Sequence, residues 1–313
     1  MARGRRRGYG VADVAFTEER ARAVLGAALP PYREGAAEAR LLSFGENAVF
    51  AVDSLSLVVR VSRDLEVWDR AARELKVADW LAREGLPAVR PDRSYGSEQP
   101  LPFSGHLVTY WQRLPEPVRP AGPRDLAALL HMVHALPEPP AELSLELPRR
   151  ELLGGVERWL RLAGDAIDPA DAAYLRARRD DVAAAAAELT PRLAPGPIHG
   201  DALPRNVHIG PDGPVLVDLE TFSSDLREHD LVVMALTRDR YGLEPAAYDE
   251  FTAAYGWDVR EWPGCAVLRG ARETASCAWV AQHAPDNPAA RAEFARRVAS
   301  LREGDPAVRW SAF

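Results

Sequence analysis

A proline-rich segment divides the chain into two parts with different secondary-structure patterns. Residues 115–123, PEPVRPAGP, contain four prolines in nine positions, and such a segment suits a connector better than a packed core. The chain has 313 residues, a length at which single hydrophobic cores tend to split. We therefore expect a flexible tail over 1–12, a first lobe over 13–112 and a second lobe over 113–313.

The first lobe combines strand and helix patterns. Two runs rich in β-branched and aromatic residues flank a short polar turn at Asp53 and Ser54, which predicts a β-hairpin. Gly85 and Pro87 end a long helical pattern. Strands are expected around 48–52, 57–62 and 106–111, and helices at 17–29 and 65–84.

The second lobe is mostly helical in its pattern. Helices are expected at about 124–135, 149–163, 169–190, 229–239, 246–254, 264–283 and 288–302. The predicted fold class is therefore α+β. An antiparallel sheet and one long helix would form the small lobe, and helices would form most of the larger one.

Composition limits the functions that such a chain can have. It is 47% hydrophobic and 27% charged, which is ordinary for a globular protein, and no apolar run approaches the roughly 18 residues of a membrane span. Two cysteines are too few for a disulfide framework, so a reduced, cytoplasmic location is expected. A net charge of −7 argues against nucleic-acid binding and favours small cationic ligands. Monomer and homodimer both stay open.

The segment IHGDALPRNV, residues 198–207, holds a compact set of polar side chains. Asp201 stands five positions before Asn206, and both side chains carry an oxygen atom that can bind a cation. Pro204 lies between them and disfavours a helix on its N-terminal side. We predict a stiffened loop, and its function depends on what surrounds it.

The residues after this loop predict a second hairpin. Residues 207–209 and 215–217 are β-formers that flank the turn sequence GPDGP. Pairing symmetric about Asp212 would place Asn206 opposite Asp218. Cross-strand neighbours lie about 4.5–5.5 Å apart at Cβ, so the two side chains could share a hard cation. Mg²⁺ suits such a pair because it takes oxygen ligands and is usually held by one or two protein groups plus substrate phosphates.

The run HGD-x4-N, followed twelve residues later by Asp218, resembles the catalytic centre of the aminoglycoside phosphotransferase-like family, relatives of choline kinases. The resemblance implies a protein-kinase-like bilobal fold and phosphoryl transfer from ATP, with GTP as an alternative. It makes Asp201 and His199 the catalytic residues: Asp201 would accept or orient the substrate hydroxyl proton, and His199 would brace the loop. Asn206 and Asp218 would bind Mg²⁺ on the ATP phosphates.

The resemblance continues downstream of the hairpin. The segment REHDLVVMAL is similar to a family helix in which Asp230 would anchor the catalytic loop. The family pattern Gly-Asp-Pro a few residues earlier is replaced by DLR at 225–227. Because of this difference from the family pattern, the resemblance does not define how the substrate is bound.

The same resemblance assigns nucleotide-binding residues in the first lobe. Arg60 takes the position of the nucleotide-binding lysine on the third strand, and Glu74 that of its ion-pair partner. Gly45 and Asn47 belong to the loop that would cover the phosphates. The hinge, which would offer backbone groups to adenine, consists of Tyr110, Trp111 and Gln112.

The acceptor is expected to be a small molecule with a hydroxyl group. From residue 199 to the end there are 18 acidic and 12 basic residues, so a cationic acceptor would be favoured there. Four carboxylates are candidates to meet its ammonium groups: Glu220, Asp225, Glu228 and Glu273.

Three functional hypotheses follow. The first is a small-molecule kinase that inactivates an aminoglycoside or a similar natural product, conferring antibiotic resistance, or that acts in making one. The second is a metabolic kinase for a sugar, choline or a homoserine-like alcohol. The third is a non-catalytic ATP-binding scaffold that keeps the fold.

Overall fold

A computed structural model describes residues 16–29, 38–96 and 98–313. The tail predicted over residues 1–12 lies outside them. The chain divides into two compact units, of which the first comprises residues up to Leu75 and Arg90–Leu114, and the second Lys76–Val89 and Pro115–Phe313. The lobe boundaries predicted at 13 and 112 stay predictions.

The first unit is built on an antiparallel sheet of five strands in the order β1-β2-β3-β5-β4. Its elements are α1 Glu18–Ala28, β1 Arg40–Phe44, β2 Asn47–Val52, β3 Leu57–Ser62, the start of α2 Trp68–Arg83, β4 Leu101–Phe103 and β5 His106–Gln112. The hairpin predicted at 48–52 and 57–62 is confirmed as β2 and β3.

Local sequence explains how this unit forms. Thr17 caps α1 by accepting a hydrogen bond from the amide of Arg20 at 3.2 Å. Strands β2 and β3 bury alternate apolar residues, including Phe50 and Val59, against α1 residues such as Leu25. This one-sided burial is what period-2 alternation produces in a sheet covered by a helix.

The second unit is mostly helical. Its elements are the remainder of α2, α3 Pro123–Ala135, α4 Val156–Ala163, α5 Pro169–Ala187, β6 Gly196–Ile198, β7 Val207–Gly210, β8 Gly213–Leu216, β9 Ser223–Asp225, α6 Glu228–Arg240, α7 Pro245–Tyr255, α8 Cys265–Ala281 and α9 Pro288–Arg302. Strands β6 and β9 pair antiparallel, as do β7 and β8. The predicted α+β class is confirmed.

One predicted helix begins later than expected. The pattern indicated a helix from residue 149, but α4 begins at Val156. Gly154 and Gly155 favour a turn there, and a Cβ on Gly155 would come within 2.6 Å of the Trp159 ring. Because the Trp159 ring packs on Gly155, replacing this glycine by alanine would require the Trp159 side chain to move.

The register predicted for the β7–β8 hairpin is wrong by one residue. Gly210 pairs with Gly213, so the loop has two residues, 211–212, and its centre lies before Asp212 rather than on it. Gly213 adopts a φ of 119°, which a residue with a side chain rarely adopts. The glycine permits the tighter turn, and the tighter turn moves every cross-strand partner by one position.

Among the residues that the structure describes, no helix is both long and apolar enough to cross a membrane.

Candidate active site

The loop between β6 and β7 is tied to the first turn of α6. The amides of His199 and Gly200 donate hydrogen bonds to the two carboxylate oxygens of Asp230 at 2.7 and 2.8 Å. Asp230 is completely buried. Its carboxylate therefore sets where the loop leaves strand β6.

Further groups hold Asp230 in place. Nε2 of His134 donates to its carboxylate at 3.2 Å, and the Tyr255 hydroxyl hydrogen-bonds Nδ1 of the same imidazole at 2.8 Å. Burial alone would raise the pKa of Asp230, but hydrogen bonds from His134 and from the His199 amide outweigh it and lower the pKa to about 2. Asp230 is thus an anion at neutral pH and anchors the loop together with α3 and α7.

Gly200 is required by the path of the loop. Its φ is +84°, and a Cβ there would lie 2.4 Å from the carbonyl oxygen of Thr221. The Thr221 hydroxyl also donates to the carbonyl of His199 at 2.9 Å. Any larger residue at 200 would have to displace backbone.

His199 is buried and has both ring nitrogens engaged. Nε2 donates to the carbonyl of Val217 at 3.1 Å, and Nδ1 accepts from the amide of Asp201 at 3.3 Å. Because neither nitrogen is available to a substrate, the ring connects the loop to the chain that follows β8.

Asp201 and Asn206 form one hydrogen-bonded group. Nδ2 of Asn206 donates to the backbone carbonyl of Asp201 at 2.7 Å and to its carboxylate at 3.1 Å. Arg205 also donates to that carboxylate at 2.9 Å. The Asp201 side chain is 28% exposed, so it can still meet a ligand. Since Nδ2 of Asn206 is used within the loop, Oδ1 is the atom of that amide left for a cation.

Asp218 lies just beyond strand β8. The amide of Val217 donates to the carbonyl of Asn206 at 3.0 Å, so Asn206 faces Val217, and the predicted opposition of Asn206 and Asp218 is wrong. Asp218 has a left-handed backbone, with φ 61° and ψ 67°. This conformation costs an aspartate on the order of 1–2 kcal/mol.

In the first unit, Arg60 and Glu74 meet. Nη1 of Arg60 donates to the Glu74 carboxylate at 2.6 Å, and the guanidinium lies 5.7 Å from the centre of the Trp111 ring. The Arg60 side chain is only 21% exposed. Arg60 is therefore held by partners inside this unit and does not simply face solvent.

Gly45 and Asn47 close the turn between β1 and β2. The Gly45 amide donates to the Asn47 carbonyl at 3.0 Å. A Cβ on Gly45 would lie within 4 Å of no atom of the described residues beyond its own chain neighbours.

Backbone groups of the predicted hinge already have partners. The Tyr110 amide donates to the side-chain oxygen of Gln99 at 2.6 Å, and the Gln112 amide donates to the Arg90 carbonyl at 2.9 Å. The Tyr110 carbonyl accepts from the amide of Asp92 at 2.9 Å. An adenine contact through the two amides would require them to give up these bonds, whereas the carbonyl can accept a second hydrogen bond.

Two carboxylates predicted to contact the acceptor are buried and have protein partners. Glu228 is buried and accepts from the amides of residues 192–193 at 2.6 and 2.8 Å. Glu273 is buried and accepts from Arg178 at 3.2 Å and from Arg240 at 2.8 Å. Both carboxylates are buried beside these partners, although Oε2 of Glu228 has no hydrogen-bond partner among the described residues. Their predicted contacts with the acceptor stay predictions.

The other two candidates lie nearer to the loop. Asp225 accepts from the amides of Arg150 at 3.0 Å and Leu226 at 2.8 Å, so its carboxylate fixes backbone. Glu220 is half-buried in the short 3₁₀ turn Leu219–Thr221. The acceptor contacts predicted for Asp225 and Glu220 stay predictions.

Sequence reasoning missed two arginines that reach the loop. Nε of Arg150 and Nη2 of Arg272 both donate to the Gly200 carbonyl at 3.1 Å. Arg272 is buried and lies four positions after the buried Leu268 on α8. A charged residue on the apolar face of a helix was the signal that could have identified it.

Comparison with solved structures gives matches across nearly the whole chain. Amicoumacin kinase hAmiN in complex with AMP-PNP, Ca²⁺ and Ami has a TM-score of 0.67 at 13% identity, covering 94% of this chain and 96% of that one. A choline/ethanolamine kinase family protein from Mesorhizobium loti has a TM-score of 0.59 at 19% identity, with 91% and 93% covered. Spectinomycin phosphotransferase APH(9)-Ia has a TM-score of 0.57 at 13% identity, with 84% and 88% covered. These similarities confirm the predicted kinase-like fold.

A search of curated proteins found no match to this chain. The phosphotransferase enzyme family, APH, matches residues 38–268, a range that includes the strands of the first unit, the loop with Asp201 and the start of α8. The chain therefore belongs to the phosphotransferase enzyme family.

Proposed function

We propose that this phosphotransferase moves the γ-phosphate of ATP to a hydroxyl of a small organic molecule in a Mg²⁺-dependent reaction. The observation that carries the proposal is the hydrogen-bonded group of Asp201 and Asn206, in a loop anchored by the buried Asp230. Phosphoryl transfer depends mainly on positioning and charge stabilisation. A rigid loop with a partly exposed carboxylate suits that requirement.

Asp201 would orient the acceptor hydroxyl and take its proton. The bond between the acceptor oxygen and the γ-phosphorus forms as the bond from that phosphorus to the β–γ bridging oxygen breaks, so ADP leaves with the electron pair. His199 has no free ring nitrogen and would keep the loop in shape. Asp230 would act in the same way from beneath the loop.

Asn206 and Asp218 would hold the divalent cation. Within residues 16–29, 38–96 and 98–313, no three His, Cys, Asp or Glu side chains are grouped to hold a metal by themselves. Oδ1 of Asn206 and the Asp218 carboxylate are hard oxygen donors, and Mg²⁺ commonly takes one or two such groups from the protein and the rest from phosphates and water. The bound cation would neutralise phosphate charge. The complex of hAmiN with AMP-PNP and Ca²⁺ supports an adenine nucleotide with a divalent cation.

For the nucleotide, we propose contacts from Arg60, oriented by Glu74, and from the turn of Gly45 and Asn47. Arg60→Ala is expected to raise the Kd for ATP about 10- to 100-fold, because it removes a charge-assisted hydrogen bond. Fluorescence titration with ATP measures the Kd of the wild type and of the variant. Arg83→Ala, which removes an exposed arginine from α2, is the matched control. An unchanged Kd in Arg60→Ala would restrict Arg60 to packing within its own unit.

Two acceptor classes each have an observation in their favour. An aminoglycoside or other cationic natural product fits the 18 acidic against 12 basic residues from position 199 onward and the spectinomycin phosphotransferase fold. A metabolic alcohol fits the choline/ethanolamine kinase family protein and the two arginines at the loop.

A coupled assay of ADP release tests the proposal. The acceptors are aminoglycosides, spectinomycin, amino sugars, choline and small hydroxy acids, each with ATP or GTP and with or without Mg²⁺. Acceptor-dependent ADP release that needs Mg²⁺ supports the proposed reaction. Nucleotide binding without any ADP release would support the scaffold hypothesis instead.

A further inference from the structure

Two arginine side chains converge on a single carbonyl beside the proposed catalytic carboxylate. Arg150, in the segment before α4, and Arg272, on α8, both donate to the Gly200 carbonyl at 3.1 Å. Arg272 also donates to the carbonyl of His229 at 3.0 Å. Gly200 directly precedes Asp201, so two positive charges are placed at the acceptor-orienting residue.

These guanidinium groups have carbonyls, and not carboxylates, as their hydrogen-bond partners. In the described part of the chain, no ion pair within 4.0 Å joins Arg150 or Arg272 to a carboxylate. The charges that act on them lie further away. Asp201 and Asp230 stabilise both cations, Glu220 stabilises Arg150, and each arginine repels the other.

Donor atoms remain unused on both side chains. Among the described residues, Nε of Arg272 is buried without a hydrogen-bond partner, and the side-chain bond of Arg150 uses Nε only. Burial lowers the pKa of Arg272 to about 10, so the group is still cationic at neutral pH. Burying an arginine without a carboxylate partner costs desolvation free energy. One hydrogen-bonding side chain would be enough to satisfy the Gly200 carbonyl, yet two arginines donate to it. A bound anion would offset that cost.

We propose that Arg150 and Arg272 bind a carboxylate of the acceptor, next to the hydroxyl that Asp201 orients. The inference rests on the proposed function and narrows it: the acceptor is a small hydroxy acid or hydroxy amino acid. The planar fork of Arg150 suits a carboxylate, which can accept two parallel hydrogen bonds from its Nη groups.

The position of the arginines favours the acceptor over the nucleotide as the source of the anion. Neither side chain hydrogen-bonds the β7–β8 hairpin, which is flanked by Asn206 and Asp218, the proposed ligands for the metal and its phosphates. Both approach the loop from the Gly200 side. The overall acidity of the second unit acts at long range, whereas both charged side chains that hydrogen-bond the Gly200 carbonyl are positive.

The test compares acceptors that differ only in the carboxylate. Glycerate is paired with glyceramide and homoserine with its amide, and choline and streptomycin serve as cationic acceptors. We expect kcat/KM for each carboxylate to exceed that for its amide by about 10- to 100-fold, as for loss of a charge-assisted hydrogen bond. Equal use of the amides, or a preference for the cations, would overturn the inference and leave the proposed function intact.

Variants of the arginines identify the source of the preference. Arg150→Gln is expected to reduce the carboxylate-to-amide ratio toward 1 while KM for ATP changes little, and Arg150→Lys is expected to keep part of the ratio. Arg158→Gln removes the same charge from an exposed position on α4 and is the matched control. A rise in KM for ATP with an unchanged ratio would assign Arg150 to the γ-phosphate and overturn the inference.

Two further outcomes have clear meanings. If ATP is hydrolysed but no acceptor is used, calorimetric titration with glycerate and homoserine decides, and absence of binding at millimolar concentrations overturns the inference. If no nucleotide is consumed under any condition, the proposed function itself fails. The wild-type acceptor pairs and the Arg150 variants give the answer without any substitution of the buried Arg272.

Discussion

Asp201→Asn is expected to lower kcat for acceptor phosphorylation by about 10²- to 10⁴-fold, the usual contribution of a general base. The amide keeps the size of the side chain and can still accept hydrogen bonds from Arg205 and Asn206, but it cannot take a proton from the hydroxyl. ATP affinity should change little, because the nucleotide contacts are assigned to other residues. Steady-state kinetics with a titration of ATP measure both.

A control removes the same charge from the neighbouring hairpin. Asp212→Asn alters an exposed aspartate in the β7–β8 turn and should leave kcat unchanged. Asp201→Ala should behave as Asp201→Asn does. If the Asp201 variants kept full activity, Asp201 would have no role as base or in orienting the hydroxyl.

Asp230→Asn is expected to destabilise the protein by about 2–4 kcal/mol at pH 7, because a buried carboxylate that accepts two amides and an imidazole is replaced by a group that brings its own donors. Activity should fall as well, since the amides of His199 and Gly200 lose the anion that positions them. Urea unfolding measures the loss of stability.

The pH dependence of unfolding provides a second measurement on Asp230. Its pKa is lowered from 3.8 to about 2 in the folded protein, so its contribution to stability is complete above about pH 4 and is lost as the pH falls toward 2. Asp230→Asn should remove that part of the acid dependence. The control Asp286→Asn, at an exposed aspartate before α9, should keep the acid dependence of the wild type. Identical acid profiles for wild type and Asp230→Asn would contradict the role given to this carboxylate.

The elements that the sequence predicted well depend on local patterns. Helix α9 occupies the predicted 288–302, and its start has a local cause, the Asn287 side chain accepting from two amides of the first turn. The β2–β3 hairpin likewise follows from alternation of apolar residues around a polar turn. Short strands such as β6 and β9 were not predicted, because three residues are too few to show a period.

The positions of charged side chains were harder to predict. Glu228 and Glu273 were predicted to meet ammonium groups of the acceptor, and the structure buries them against amides and arginines. Arg150 was not identified from the sequence. Such pairings join residues far apart along the chain, and no local pattern carries information about them.

By itself, the sequence determined the fold class, most element boundaries and the loop that brings Asp201 and Asn206 together, because these depend on propensity, turn chemistry and spacing within a few residues. Only the tertiary structure decided the hairpin register, the left-handed backbone of Asp218 and the two arginines at Gly200. The physical reason is that a register changes with one residue of turn length, and that buried charges choose partners by distance in space rather than along the chain.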